Sequence, residues 1–355
     1  RYSEVVNKEC QMCRRPYVIF QVCMLSLSAL IVPVAYVAMP KSPHASETIS
    51  LVVFFASFSG LLMSAFMKVM FFSKNFEMAN DAISKLESLF DEMDKNKLAH
   101  GDVSEMANHD IEFAGVTFRY EEGVDVLTDF RLKLESGKKY ALVGSSGSGK
   151  STIAKLISGF YPVSSGELKI GGVDISKYKR ETLEHEIAFV FQNAKLFKTS
   201  IYENVKIGRP DASREEVIKA LDLAMCGSIL DKFETREDTI IGAKGVHLSG
   251  GETQRIAIAR AILKDAPIII LDEASAASDP ENEYEMQQAF SKLMEGKTVI
   301  MIAHRLSSIR NVDEILVVED GKVTERGSHD ELIAKDSKYK NLQNLYNQAN
   351  EWRLS

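Results

Sequence analysis

Two stretches near the start of the chain carry no charged side chain, Tyr17 to Met39 and Ile49 to Met67. As helices rising 1.5 Å per residue they reach roughly 34 Å and roughly 28 Å. A bilayer core is about 30 Å thick, so each predicts a membrane span, the first kinked at Pro33. Lys8, Arg14 and Arg15 precede the pair and Lys68, Lys74 and Lys85 follow it, whereas the connection Pro40–Thr48 holds only Lys41 and Glu47 as charged residues. Basic flanks favour the cytoplasm, so everything downstream is expected on that side. Phe76, Ala79, Ile83, Leu86 and Phe90 then recur at helical spacing, which predicts a polar helix over 73–93. Residues 94–110 turn polar around Gly101 and read as a linker.

From Ile111 the pattern changes. Short apolar runs at 111–113, 116–120, 126–134, 140–143, 168–170, 187–191, 268–271 and 298–303 predict strands, and helical periodicity fills much of what lies between. The run Ile268 to Leu271 is apolar throughout, as a parallel strand buried on both faces requires. Residues 315–319 and 322–325 flank Asp320-Gly321, a hairpin signal. Residues 200–235 read as helical with a break near Gly208-Arg209-Pro210, and 330–353 as helical to the end. The alternation predicts an α/β domain behind a helical membrane segment, with no internal repeat.

The sharpest local signal is Gly144-Ser145-Ser146-Gly147-Ser148-Gly149-Lys150-Ser151-Thr152. It lies between the run Tyr140–Val143 and a helix-forming stretch, which is the strand–loop–helix order of a P-loop. Glycines let successive N–H groups face one anion, and the helix start adds its unpaired N–H groups and positive dipole end. Lys150 supplies a charge for the outer phosphates and Ser151 a hydroxyl for Mg²⁺. A nucleoside triphosphate is the expected ligand.

Composition narrows the picture without redirecting it. The 355 residues, 45% hydrophobic and 26% charged, suit two or three globular or membrane units. A net charge of −7 gives no support to nucleic-acid binding. Cys10 and Cys13 form a lone CxxC, and with Cys23 and Cys226 they make neither a zinc site nor a disulfide framework. They read as plain thiols. The chain starts at Arg1 without a Met, which suggests a fragment.

Polar residues close several of the apolar runs: Gln192 after Phe191, Asp272-Glu273 after Leu271, and His304 after Ala303. In open α/β sheets ligands bind at the carboxyl ends of strands, so these groups are expected to converge with the P-loop. Mg²⁺ takes hard oxygen ligands: Ser151 and the Gln192 carbonyl directly, Asp272 through water. Glu273 is placed to polarise the attacking water, with its pKa raised by Asp272 and by a dry site. His304 can hydrogen-bond the γ-phosphate. Leu248-Ser249-Gly250-Gly251-Glu252 opens another helix. It is either a second phosphate-binding element or an ordinary N-cap, with Glu252 as the capping-box partner of Ser249.

With these motifs assembled, residues 111–345 resemble the nucleotide-binding domain of ATP-binding cassette (ABC) transporters. The match takes in the Walker A loop, the Gln loop at Gln192, the signature at 248–252, Walker B through Glu273 and the switch histidine His304. The resemblance implies an α/β P-loop NTPase domain with an antiparallel β subdomain and a helical subdomain, followed by a tail at 346–355. It implies that Tyr120 stacks on adenine, with Lys150, Gln192, Glu273 and His304 serving ATP hydrolysis. It also implies that Ser249, Gly250, Gly251 and Glu252 act in trans on the ATP of a second ABC subunit, identical or paralogous. Residues 1–93 resemble the last two of six spans in an exporter-type half-transporter of the cell membrane, with its ATPase cytoplasmic and its substrate unspecified.

Departures from the family pattern are Glu252 where Gln is commoner, Ala276-Ala277-Ser278-Asp279 where Ser-Ala-Leu-Asp is usual, and Gly242–Gly245 without the Glu usual in exporters. Residues 279–283 and Trp352-Arg353 also look similar to bacterial siderophore-linked transporters. Uptake of a metal chelate by an exporter-type fold is therefore an alternative. So are a soluble ABC ATPase, against which the two charge-free stretches count, and a catalytically silent subunit, against which Glu273 and His304 count.

Overall fold

The computed structural model describes isolated positions between 22 and 37 and then residues 45–355, apart from 96–97, 121–122, 243–244, 273–279, 304–308 and 355. It divides into two units, Arg1–Asp94 and Lys95–Ser355.

In the first unit, Ala45–Lys95 is one helix, α1. It contains both the charge-free stretch 49–67 and the polar stretch 73–93, so the expected junction between them is unbroken helix. Large apolar side chains stand exposed along it, among them Leu51, Phe54, Phe58, Leu61, Phe72 and Phe76. Phe54 and Phe58 stack one turn apart, with centroids at 5.7 Å. Among the described residues no helix is long and apolar enough to cross a membrane, so the expected span Ile49–Met67 is not borne out there. The expected span Tyr17–Met39 lies largely outside the described residues.

The second unit contains two sheets. Strands β1 (Ile111–Phe118), β2 (Leu127–Leu134), β4 (Ser165–Ile170) and β5 (Val173–Asp174) form an antiparallel sheet ordered β2-β1-β4-β5. Strands β3 (Lys139–Val143), β6 (Ile187–Val190), β7 (Ile268–Asp272), β8 (Thr298–Ile302), β9 (Glu314–Glu319) and β10 (Lys322–Gly327) form the other, ordered β10-β9-β3-β8-β7-β6. All neighbours in it are parallel except the edge pair β9–β10. That pair turns through Asp320 and Gly321, both at positive φ (44° and 71°), as the primed hairpin turn requires.

The apolar runs of the parallel strands serve two cores. Tyr140, Leu142, Ile268, Ile270, Ile300, Ile302, Leu316 and Val318 face the antiparallel sheet and helix α2 (Lys150–Ile157). Their alternates Ala141, Val143, Ile269, Leu271, Val299, Met301, Ile315 and Val317 face the helical layer. Period-two side chains with both faces covered leave no polar position, which is why these runs show no alternation.

The helical layer comprises α4 (Ile201–Lys206), α5 (Arg214–Leu223), α6 (Gly227–Leu230), α7 (Gly250–Lys264) and α8 (Pro280–Leu293); α3 (Arg180–Glu186) precedes β6. Serine caps open several helices. Ser213 with Glu216, Ser249 with Glu252 and Ser328 with Glu331 form capping boxes, the last opening α9 (His329–Ala334).

Three expectations shift. β1 stops at Phe118, so Tyr120 stands beyond the strand. The C-terminal helix is two, α9 and α10 (Lys338–Leu354). Between them Ser337 donates to Leu332 O (2.6 Å) and accepts from Lys340 N (3.0 Å), ending one helix and starting the next. The stretch expected as a linker is also laced to the domain: Gly101 N donates to Tyr178 O (3.1 Å), Lys179 N donates to Val103 O (2.8 Å), and Leu98 is buried.

Candidate nucleotide site

β3 runs directly into the glycine loop. Gly144 sits at φ +143°, and a Cβ there would lie 2.1 Å from the Val318 carbonyl oxygen of β9. Only glycine fits between the loop and the neighbouring strand. Gly149 caps α2 at φ +103° with no side-chain hydrogen bond. The first N–H groups of α2 therefore lack the serine partner found at Ser200, Ser213, Ser249 and Ser328, and they are directed into the loop.

Lys150 is 95% buried, and its ammonium donates to Gly144 O (2.9 Å), Ser145 O (2.7 Å) and Ser148 Oγ (3.3 Å). A buried ammonium held among the two carbonyls and the Ser148 hydroxyl attracts phosphate oxygens, because charge-assisted hydrogen bonds are strong away from water. Ser151 is exposed at the mouth and Thr152 is buried beneath it. Tyr120 exchanges a hydrogen bond with Thr152 Oγ1 (3.2 Å) and packs edge-on against Phe118 and Tyr161. Its ring is half exposed beside the loop, where a purine could stack.

The register assembles the other candidates. Leu142 of β3 pairs with Ile302 of β8, and Ile302 pairs with Asp272 of β7. At about 4.8 Å per strand, Asp272 lies about 10 Å from Leu142, two residues short of Gly144. Val190 pairs with Leu271, so β6 delivers the exposed Gln192 to the same edge. Gln192, Asp272 and the P-loop thus share the carboxyl edge of one sheet. Their hydroxyl, amide and carboxylate oxygens are the hard donor set that Mg²⁺ takes. Glu273 and His304 lie outside the described residues.

The segment 248–252 is resolved as a capped helix start. Ser249 Oγ accepts from Glu252 N (3.2 Å) and Ser249 N donates to the Glu252 carboxylate (2.7 Å). The carboxylate also accepts from Lys232. Burial works against ionisation of Glu252, but the Lys232 ammonium and the Ser249 N–H outweigh it and hold the carboxyl below the usual range. The capping box is therefore present; Gly250 and Gly251 leave the helix start bare of side chains. Sequence reasoning missed Lys232 and Tyr161. Neither carries a motif, and each is found only through its contact with a residue that does.

Residues 127–276 match the family described as ABC transporter. The chain carries an ABC transporter domain. It is 47% identical over 237 residues to an ATP-dependent lipid A-core flippase of Pasteurella multocida, covering 66% of this chain and 41% of that protein. It is 44% identical over 238 residues to a putative multidrug export ATP-binding/permease protein, YgaD, of Bacillus subtilis, covering 67% and 41%. The chain therefore spans about two fifths of these ABC relatives. A solved bacterial Atm1-family ABC exporter with ATP bound superposes with a TM-score of 0.66 at 29% identity, over 91% of this chain and 57% of that one. Lys95–Ser355 alone cannot supply that share, so the likeness includes part of α1.

Proposed function

We propose that the chain is the ATP-hydrolysing part of an exporter-type ABC half-transporter, with α1 entering the membrane over 49–67. The observation that carries the reading is the buried Lys150 ammonium inside the glycine loop, with Asp272 and Gln192 on the same sheet edge. Lys150 and the N–H groups of α2 hold the triphosphate and stabilise the charge that develops on its outer phosphate. Ser151, the Gln192 carbonyl and, through water, Asp272 are the residues that would hold Mg²⁺, which when bound would supply positive charge to offset that of the phosphates. Glu273 follows Asp272 in the chain and orients and deprotonates the attacking water. His304, two residues beyond β8, donates to the γ-phosphate. Tyr120 stacks on the base.

The signature residues Ser249, Gly250, Gly251 and Glu252 complete the ATP site of a second subunit, and that subunit's signature completes this one. ATP thereby favours the closed pair through contacts absent from the open one. The membrane reading rests on the charge-free 49–67 and on the exposed Phe54, Phe58 and Leu61 of α1. The likeness to a lipid flippase and a multidrug exporter favours outward movement over chelate uptake. Transport assays in vesicles of known orientation decide between these directions.

The test of the engine is Glu273→Gln in the full-length protein. Turnover should fall by about three orders of magnitude, as expected when the group that positions the nucleophile is lost, while ATP still binds. Unchanged turnover would leave a silent, regulatory subunit as the better description.

A further inference from the structure

Arg255 is a buried cation that the nucleotide site does not use. It lies on α7 two turns beyond Ser249 and is only 2% exposed, among Ile256, Ile258 and Ala259 of the core. Its Nη1 donates to Met225 O (2.8 Å), to Ser228 Oγ (3.3 Å) and to the Glu285 carboxylate. Its Nη2 donates to Asn282 Oδ1 (2.9 Å). Ser228 in turn donates to Glu285 (3.1 Å). Among the described residues Nε meets no hydrogen-bond partner, so the side chain is held by its fork. Lysine could not replace it, because one ammonium cannot reach groups on three elements in fixed directions.

Burying a charge costs stability unless it is paired, and well-packed apolar residues usually serve a core as well or better. The network sits in a telling place. Asn282 and Glu285 occupy the first two turns of α8, which begins at Pro280, directly after 273–279 and hence after Asp272 and Glu273 in the chain. Asn282 is also the nearest side chain to Gly251, 3.8 Å from where a Cβ would stand. One guanidinium thus ties the helix opened by Ser249 to the helix that continues the acid-bearing segment.

We propose that Arg255 is a positioning residue that locks α8, through Asn282 and Glu285, to the signature helix. When a second subunit's nucleotide docks on Ser249–Gly251, the lock transmits that docking to the segment carrying Glu273. The inference rests on the reading, made above, that the signature acts in trans. It concerns a link inside one subunit, from the surface that senses the neighbour's ATP to the acid that hydrolyses its own.

The experiment uses the full-length membrane protein and measures turnover, ATP affinity with a fluorescent ATP analogue, and melting temperature. Asn282→Ala should lower kcat about tenfold while changing ATP affinity less than about twofold. Asn282→Asp keeps an oxygen facing Nη2 and should restore turnover to within about threefold of the wild type. A merely structural contact predicts lowered melting with turnover per folded molecule intact, and that result overturns the proposal. So does an Asn282→Asp protein as slow as Asn282→Ala. If Asn282→Ala fails to fold, Glu285→Gln decides, since it keeps size and acceptor while losing charge; turnover at the wild-type level then overturns the proposal. Ser249→Ala separates the two readings. If it leaves turnover unchanged, the trans reading fails and this inference falls with it; if it slows turnover while Asn282→Ala does not, only the lock fails.

Discussion

At the scale of single residues, two glycines that look alike in the sequence do opposite things. A Cβ on Gly144 would press on the Val318 carbonyl at 2.1 Å, at a φ of +143°. Gly144→Ala should therefore destabilise the domain by about 2 kcal/mol or more, through strain and displacement of β9, and chemical denaturation would measure it. A Cβ on Gly251 meets nothing nearer than Asn282 at 3.8 Å, inside helix α7. Gly251→Ala should leave stability unchanged or raise it by up to about 1 kcal/mol, since alanine suits a helix better. Yet it should lower ATPase turnover more than tenfold if the bare helix start receives a triphosphate. Stability held with activity lost is the outcome that separates a docking surface from an N-cap. The sequence alone could not make this distinction, because the Ser249–Glu252 box satisfies either use. Cys226 shows the converse. Burial pushes its thiol up to about 12, so it is an inert core residue, as plain thiol reading had it.

Elements were legible where local chemistry and burial agree. The strand–loop–helix at 140–157, the apolar strands at 268–271 and 298–302, and the Asp320-Gly321 hairpin follow from patterns within single contiguous stretches. The lacing of 101–103 to 178–179 depends on backbone hydrogen bonds between segments far apart in sequence, and polar composition alone reads that stretch as linker. The break between α9 and α10 rests on one hydroxyl, Ser337, that serves both helix ends. The start of α7 is an element whose charge can be tested. Glu252 has its pKa lowered in the fold, so the stability it contributes is present above the unfolded-state carboxylate value, near 4.3. That contribution is lost as pH falls through the lowered folded value. Glu252→Gln keeps an oxygen for the Ser249 N–H but gives up the charge facing Lys232, which is itself more than half exposed. Solvent screening limits the difference to about 1 kcal/mol at most. Urea titrations of the two proteins should therefore differ modestly at pH 7 and converge as pH falls through the lowered folded value; a constant gap would assign the residue a packing role instead.

At the scale of the molecule, the chain joins a unit whose apolar residues are inside to one whose apolar residues are outside. Lys95–Ser355 hides Ile, Leu and Val in two cores flanking one sheet. Helix α1 instead exposes Leu51, Val53, Phe54, Phe55, Phe58 and Leu61 within a stretch free of charge. Covering these side chains with lipid or neighbouring helices is worth roughly 2 kcal/mol each, on the order of 10 kcal/mol together. No charge in 49–67 opposes it. Farther along, Glu77, Asp81, Lys85, Glu87 and Asp91 bring α1 back to water, with Lys85 paired to Asp81 one turn away at 3.2 Å. The full-length protein should accordingly stay with the membrane through carbonate and high salt and leave it only in detergent. Phe58→Lys would place an ammonium in mid-stretch at a cost of about 3 kcal/mol, enough to lower the membrane-inserted fraction while the nucleotide site continues to bind ATP. Release by salt alone would mean that these side chains are covered by protein at the membrane surface, and the ATPase would then drive something other than transport.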